Sequence, residues 1–158
     1  FLSSHRKDKN SVVEVGEPTI TIQLPIYKEK YVATRLVDAV CQQDYPKDKM
    51  RIMVLDDSDD DTVTTMSNTV KKYQSLGFDI QHIRRGTRNG YKAGALKHAM
   101  KSTNSEFVAI FDADFIPPNW YLKKAMPHFA KSNIGLVQCR WGHINENYSA
   151  LTLSLIHI

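Results

Sequence analysis

The sequence lacks long apolar runs, closely spaced cysteines and a strong excess of charge. No stretch of about 18 consecutive apolar residues occurs, so we expect no membrane-spanning segment within the chain. Cys41 and Cys139 lie far apart without metal-ligand spacing, and the helical pattern around Cys41 predicts a reduced packing thiol. The net charge of +4 is mild, and the basic residues form no dense stripe with interleaved aromatics, which argues against nucleic-acid binding.

Two common nucleotide-binding motifs are also absent. The chain contains neither G-x-x-x-x-G-K-[ST] nor G-x-G-x-x-G, which argues against a P-loop enzyme and against a dinucleotide enzyme. With 158 residues, 42% hydrophobic and 24% charged, the chain has an ordinary globular composition. That length predicts one domain with a substantial core.

The two ends of the chain suggest a piece of a longer protein. The chain opens on Phe1, and its first segment, residues 1–17, is predicted to be a linker. Its "HRKDK" stretch is either a solvated tail or the cytoplasmic basic flank of a preceding membrane helix. At the other end, "SLIHI" resembles translated sequencing-library adapter, so residues 153–158 are interpreted as a non-native tail, with an apolar helix start as the alternative. The domain itself is predicted over residues 18–152.

Strand and helix patterns alternate five times along this domain. The predicted strands are 19–26, 51–57, 78–83, 106–114 and 134–141, and the predicted helices are 29–43, 61–77, 90–102 and 117–132. The last of these helices has proline in its first turn. Several strands are near-continuous apolar runs, which predicts an α/β fold with a mostly parallel sheet and helices on both faces.

Polar residues cluster where the predicted strands end. In open α/β sheets, ligands bind beyond the carboxyl ends of the strands. The residues at these ends are Pro25, Tyr27 and Glu29 after the first strand, Asp56 and Asp57 after the second, Arg84, Arg85 and Arg88 after the third, and Asp112 and Asp114 after the fourth. The carboxyl edge of the predicted sheet therefore carries aspartates after two strands and arginines after a third.

The pair Asp112 and Asp114 ends an apolar strand. Two carboxylates this close repel each other unless a cation lies between them, and Mg²⁺ or Mn²⁺ would suit their oxygen ligands. The alternative is that Asp114, three residues before Pro117, caps a helix while the other acid is solvated.

The stretch "VLDDSDDDT" has two parts. Its last three acids are expected at the start of a helix, where they suit the helix dipole. A calcium loop is rejected, because Thr62 stands where glycine is needed and Asn68 where glutamate is needed. A carboxylate at a strand end can accept the ring N–H of a base such as uracil, and we favour this role for Asp56 or Asp57.

The stretch "RNGYKAGALKHA" places small residues at a helix start. Gly90 and Gly94 flank Lys92, and a lysine beside a helix N-terminus suits an anion. A solvated helix face explains Lys92 and Lys97 equally well.

Taken together, these stretches resemble the family 2 glycosyltransferases with the GT-A fold, and within them the membrane polysaccharide synthases related to cellulose and mannan synthases. The matching pieces are "QLPIYKE", "VLDDSDDDT", "GYKAGALKHA", "FDADFIPP" and "GLVQCRWGHIN", in the family's order from about Pro18 to Tyr148. The family usually has asparagine where Lys28 stands.

The resemblance implies inverting transfer of a hexose from a UDP- or GDP-sugar to a growing polysaccharide or a lipid, with Mg²⁺ or Mn²⁺ as cofactor. It also implies a membrane-associated protein whose catalytic domain faces the cytoplasm, at the Golgi or plasma membrane in a eukaryote. The residue roles it implies are Pro25, Tyr27 and Glu29 for the nucleobase pocket, Asp56 and Asp57 for the base or ribose, Lys92 for the nucleotide, Asp112 for the sugar and ribose, and Asp112 with Asp114 for the metal.

The family's general base is an acidic residue in a Thr-Glu-Asp-like motif, and no such motif follows Tyr148. We therefore expect this chain to bind donor but to transfer sugar poorly or not at all.

Three alternatives compete with this interpretation. "VAIFDADF" is similar to the nucleophile strand of haloacid dehalogenase-type phosphatases, with Asp112 as nucleophile and Asp114 as acid. A receiver-like signalling domain would use Asp56 and Asp57 as its acidic pair. The third alternative is a non-catalytic nucleotide-sugar-binding domain.

Overall fold

A computed structural model describes residues 16–130 and 134–138. The predicted linker up to residue 15, the predicted tail at 153–158 and Cys139 lie outside the described residues. Cys41 is buried as a free thiol, as its place in the helical pattern predicts.

The described residues form one four-stranded parallel sheet with the strand order β3-β2-β1-β4. The strands are β1 (Ile20–Ile26), β2 (Met50–Asp56), β3 (Asp79–Ile83) and β4 (Phe107–Ile110). The helices are α1 (Lys30–Cys41), α2 (Thr62–Ser75), α3 (Tyr91–Met100) and α4 (Tyr121–Ala125), with 3₁₀ turns at Lys47–Lys49 and Met126–Ala130. The prediction of a parallel α/β fold is confirmed.

Helices cover both faces of the sheet because alternate strand side chains point to opposite sides. One face carries the larger core, in which Ile22 and Leu24 of β1 pack with residues of α1, α2 and α4. The other face carries a smaller core, in which Met53 and Leu55 of β2 pack against Ala95 of α3. The sheet therefore stands between α3 and the other three helices.

The direction of the chain reverses beside β1. From β1 to β3 the strands are added on one side of β1, with α1 and α2 on the same face. The chain then returns through α3 on the opposite face and adds β4 on the other side of β1. Such a reversal opens a crevice at the carboxyl ends of the two strands that flank it, here β1 and β4.

Three predicted elements differ from the structure. The predicted fourth strand, 106–114, is formed only over Phe107–Ile110, so Asp112 and Asp114 lie after the strand and not at its last residues. The predicted fifth strand is not formed over residues 134–138, which have no regular structure, and the rest of it lies outside the described residues. An apolar run signals burial but does not identify a partner strand. The predicted helix at 117–132 is a short α-helix that begins at Tyr121, after the two prolines, and changes to a 3₁₀ turn before Pro127, which lacks the N–H that an α-helix needs.

Among the residues that the structure describes, no helix combines the length and apolar character needed to cross a bilayer.

Candidate functional site

A cleft of about 410 Å³ lies at the carboxyl edge of the sheet, where the crevice between β1 and β4 is expected. Its volume lies in the ordinary range of small-molecule sites. Most of the predicted ligand residues line it, namely Pro25, Tyr27, Glu29, Asp57, Lys92, Asp112 and Asp114. The sequence therefore identified a set of residues that the fold brings together from three strands and one helix.

The loop after β1 presents Tyr27 and Glu29 to the cleft. Lys28 between them has a left-handed backbone with φ 57°, and its N–H donates to Ser58 Oγ at 2.9 Å. Asparagine tolerates this conformation better than lysine does, which gives a physical reason for the asparagine found here in the resembling family. The turn at Lys28 puts the side chains on either side of it along the cleft wall.

Asp56 is the one predicted ligand that does not line the cleft. Its carboxylate is buried, accepts the Ser58 N–H at 2.9 Å and lies 2.8 Å from His82 Nε2. Burial raises the pKa of Asp56, but the hydrogen bonds from His82 and Ser58 outweigh burial and leave that pKa below its ordinary value. Asp56 accepts a hydrogen bond from Ser58, and Ser58 accepts one from Lys28 in the loop after β1. Asp56 therefore stabilises the cleft wall without lining the cleft.

Asp57 faces the cleft and pairs with Arg85. Arg85 Nε donates to Asp57 Oδ1 at 2.9 Å, and a second guanidinium nitrogen contacts Oδ2. The side chains are only 7% and 11% exposed, so this pair is shielded from water. A carboxylate has about four lone-pair sites, so Asp57 keeps acceptor capacity for a ligand.

Arg88 also lines the cleft, although the sequence did not assign it a role. Its guanidinium carbon lies 3.4 Å from the centre of the Tyr27 ring and 4.9 Å from that of Tyr91. The position of Arg88 after the third strand was the available signal, but its stacking partner Tyr27 comes from the loop after β1. That contact exists only once the strands are paired.

The start of α3 brings Lys92 to the acids that follow β4. Gly90 is the N-cap of α3 and has φ 72°, and Tyr91 has φ 49°. From there Lys92 Nζ reaches Asp112 Oδ1, and both side chains are about half exposed. A cation from one element therefore meets an acid from another at the mouth of the cleft.

Asp114 is not a helix cap, because α4 begins at Tyr121 and its N-cap residue is Trp120, without a side-chain hydrogen bond. Burial raises the pKa of Glu29, and the charges of Asp114 and Asp112 raise it further. This part of the cleft thus carries negative charge that Lys92 only partly balances. The described residues contain no group of three or more His, Cys, Asp or Glu side chains arranged to hold a metal ion.

The family model described as Glycosyl transferase family 2 matches residues 21–156. The chain belongs to glycosyl transferase family 2. This membership confirms the predicted family and sets aside the phosphatase and receiver alternatives.

A plant relative of the chain is named as a probable mannosyltransferase. The chain is 40% identical over 148 residues to the protein named "Probable glucomannan 4-beta-mannosyltransferase 10" from Arabidopsis thaliana, a match that covers 89% of this chain and 27% of that protein. The chain thus spans about a quarter of the length of this relative.

Solved structures of the same GT-A fold superpose on the sheet. Mannosyltransferase PcManGT from Pyrobaculum calidifontis, in complex with GDP-Man and Mn²⁺, matches with a TM-score of 0.69 and 29% identity over 76% of this chain and 34% of that one. S. aureus TarS 1-349 in complex with UDP matches with a TM-score of 0.59 and 26% identity over 68% of this chain and 30% of that one.

Proposed function

We propose that the chain is the donor-binding part of an inverting hexosyltransferase that takes a UDP- or GDP-hexose together with Mg²⁺ or Mn²⁺. The sugar would be transferred to a growing polysaccharide or a lipid by the full-length, membrane-associated protein with its catalytic domain on the cytoplasmic side. The observation that carries the proposal is the convergence of Asp57, Lys92, Asp112 and Asp114 on one cleft.

The chemistry of the cleft suits a nucleoside diphosphate sugar. The Tyr27 ring and Pro25 offer apolar surface to a base, and Asp57 offers an acceptor for a base or ribose donor. Lys92 lies at the N-terminus of α3, where both the ammonium group and the backbone N–H groups favour an anion. Asp112 would then face the sugar and the ribose.

A divalent cation fits the acids of the cleft only if the ligand completes its coordination. Asp114 has no ion pair or side-chain hydrogen bond among the described residues, and it lies close enough to Glu29 to raise the pKa of that carboxyl. Mg²⁺ commonly binds one or two carboxylates plus phosphate oxygens and water. Asp114 and Asp112 would hold the ion, and when bound it would neutralise charge on the departing diphosphate.

The relatives support the choice of donor. The archaeal structural relative binds GDP-Man with Mn²⁺ and the staphylococcal one binds UDP, so both bases are found on this fold. The plant relative is named a glucomannan mannosyltransferase, which supports a hexose and a polysaccharide acceptor.

Calorimetric titration of the 158-residue chain with UDP and with GDP, each with and without Mn²⁺, tests the proposal. We expect the preferred nucleotide to bind only with the cation, and Asp114→Ala to lose most of this binding. Asp48→Ala removes an exposed acid in the turn before β2 and serves as the matched control, because it lies away from the cleft.

Metal-independent binding, no binding by the wild type, or equal binding by Asp114→Ala and Asp48→Ala would each contradict the proposed function.

A further inference from the structure

We propose that Arg85 is a positioning residue that links Asp57 to the turn preceding Lys92 in the donor cleft, so that Asp57 and Lys92 act on the nucleotide as one unit. The inference rests on the proposed function and adds to it a residue that contacts neither base nor phosphate.

Arg85 makes four contacts with its guanidinium group. Besides the two contacts with Asp57, Nη1 donates to the carbonyl of Asn89 at 2.8 Å and Nη2 donates to the carbonyl of Tyr91 at 3.0 Å. A planar guanidinium can satisfy a carboxylate and two carbonyls at once, whereas a lysine ammonium is a compact point charge. The side chain is therefore a bridge between the end of β2 and the start of α3.

The two carbonyls that Arg85 binds lie on either side of Gly90. Gly90 and Tyr91 both have a left-handed backbone, which is uncommon for a residue with a side chain such as Tyr91. Strained conformations of this kind persist where surrounding contacts fix them. Arg85 supplies such contacts at the turn that sets where α3 begins.

The first turns of α3 are packed directly against this bridge. A Cβ atom placed on Gly94 would lie 2.0 Å from the Asn89 carbonyl oxygen and 2.6 Å from Arg85 Nη1. The helix, the turn and the guanidinium thus occupy one closely packed arrangement. Lys92 lies between Gly90 and Gly94, so its position in the cleft follows from the same contacts.

The protein contains a second arginine–aspartate contact for comparison, in which Arg51 Nε makes no hydrogen bond among the described residues. Arg51 and Asp79 also join β2 to β3, at the opposite edge of the sheet, with a distance of 3.8 Å between Arg51 Nε and Asp79 Oδ2. This arginine has no contact with the cleft. Replacing each arginine by lysine therefore makes the same chemical change near the donor site and far from it.

Double-mutant titrations with the nucleotide that the wild type prefers, in Mn²⁺, measure the coupling. We expect Arg85→Lys to weaken binding about 10-fold, the size of losing one or two charge-assisted hydrogen bonds. Lys92→Ala should weaken binding about 10-fold in the wild type but only about 2-fold in Arg85→Lys, because residues that act together are not additive. Arg51→Lys should change neither factor.

Hydrogen–deuterium exchange of the free protein provides a second readout that needs no nucleotide. Amides of residues 86–94 should exchange several-fold faster in Arg85→Lys than in Arg51→Lys, with the remaining amides unchanged. Equal exchange in the two variants, or the same cost of Lys92→Ala in both backgrounds, would overturn the inference. Absence of nucleotide binding by the wild type would overturn the proposed function and the coupling together, whereas the exchange comparison would still decide whether Arg85 holds the turn.

Discussion

Lys92 at the start of α3 contacts Asp112, which follows β4, through Nζ and Oδ1 across the mouth of the cleft. Both side chains remain about half exposed, so a ligand can reach either partner. A bound diphosphate would compete with Asp112 for the ammonium group. Asp112 would then be available to the metal ion or the sugar. Donor binding would thus replace the contact between Lys92 and Asp112 by contacts of each side chain with the donor.

The first prediction concerns Lys92. Lys92→Ala should weaken binding of UDP or GDP about 10-fold while affecting binding of the corresponding nucleoside little, because only the diphosphate contacts the ammonium group of Lys92. Lys97→Ala, on the same helix but outside the donor cleft, is the control and should leave both affinities unchanged. Equal losses for nucleoside and nucleotide in Lys92→Ala would contradict a phosphate-binding role.

The second prediction concerns Gly94. Gly94→Ala should lower the free energy of unfolding by about 2 kcal/mol, because the new methyl group would overlap the Asn89 carbonyl oxygen. Gly86→Ala is the control, since a Cβ at Gly86 meets no atom within 4 Å. Urea unfolding of both variants measures the difference. Equal stabilities would show that the turn can shift to accommodate the methyl group without loss of stability.

The third prediction concerns Asp56. Asp56→Asn should lower the free energy of unfolding at pH 7 by about 2 kcal/mol, because it removes a buried charge-assisted contact with His82. Asp79→Asn, at an exposed strand end, should cost much less. Denaturant unfolding at several pH values follows both variants.

The effect of Asp56→Asn should depend on pH with a definite sign. The pKa of Asp56 is lower in the folded chain than its ordinary value of 3.8, so the folded state binds fewer protons there. The stabilisation is present above that ordinary value and is lost as the pH falls through the lower, folded value. The gap between wild type and Asp56→Asn should therefore narrow below about pH 4, and a gap that widens as the pH falls below about 4 would contradict the assigned hydrogen bonds.

The fourth prediction concerns Ser58. Ser58→Ala removes the acceptor of the Lys28 N–H and should lower the free energy of unfolding by about 1 kcal/mol. It should also weaken nucleotide binding, because the loop bearing Tyr27 and Glu29 loses its anchor. Ser75→Ala, which removes an exposed hydroxyl near the end of α2, should leave binding unchanged. Calorimetry checks the affinities, and unchanged binding by Ser58→Ala would show that the loop is held by other contacts.

The sequence predicted most of the residues that line the cleft, because the ends of the strands can be located from the ends of apolar runs. Asp57 and Asp112 each follow an apolar run, and parallel strands bring their carboxyl ends to the same edge. The expected roles of these residues, the domain limits and the low transfer activity of this chain stay predictions.

The sequence by itself determined the α/β alternation, the family and the acids that meet at the sheet edge, because apolar periodicity and ordered motifs are properties of neighbouring residues. Only the tertiary structure decided that Asp56 turns inward to His82 while Asp57 turns to Arg85. Adjacent residues at a strand end point to opposite sides, and which side is core and which is cleft depends on the helices packed there. The pair of Arg85 with Asp57 and the stack of Arg88 on Tyr27 join segments far apart in the chain, so they exist only in the folded protein.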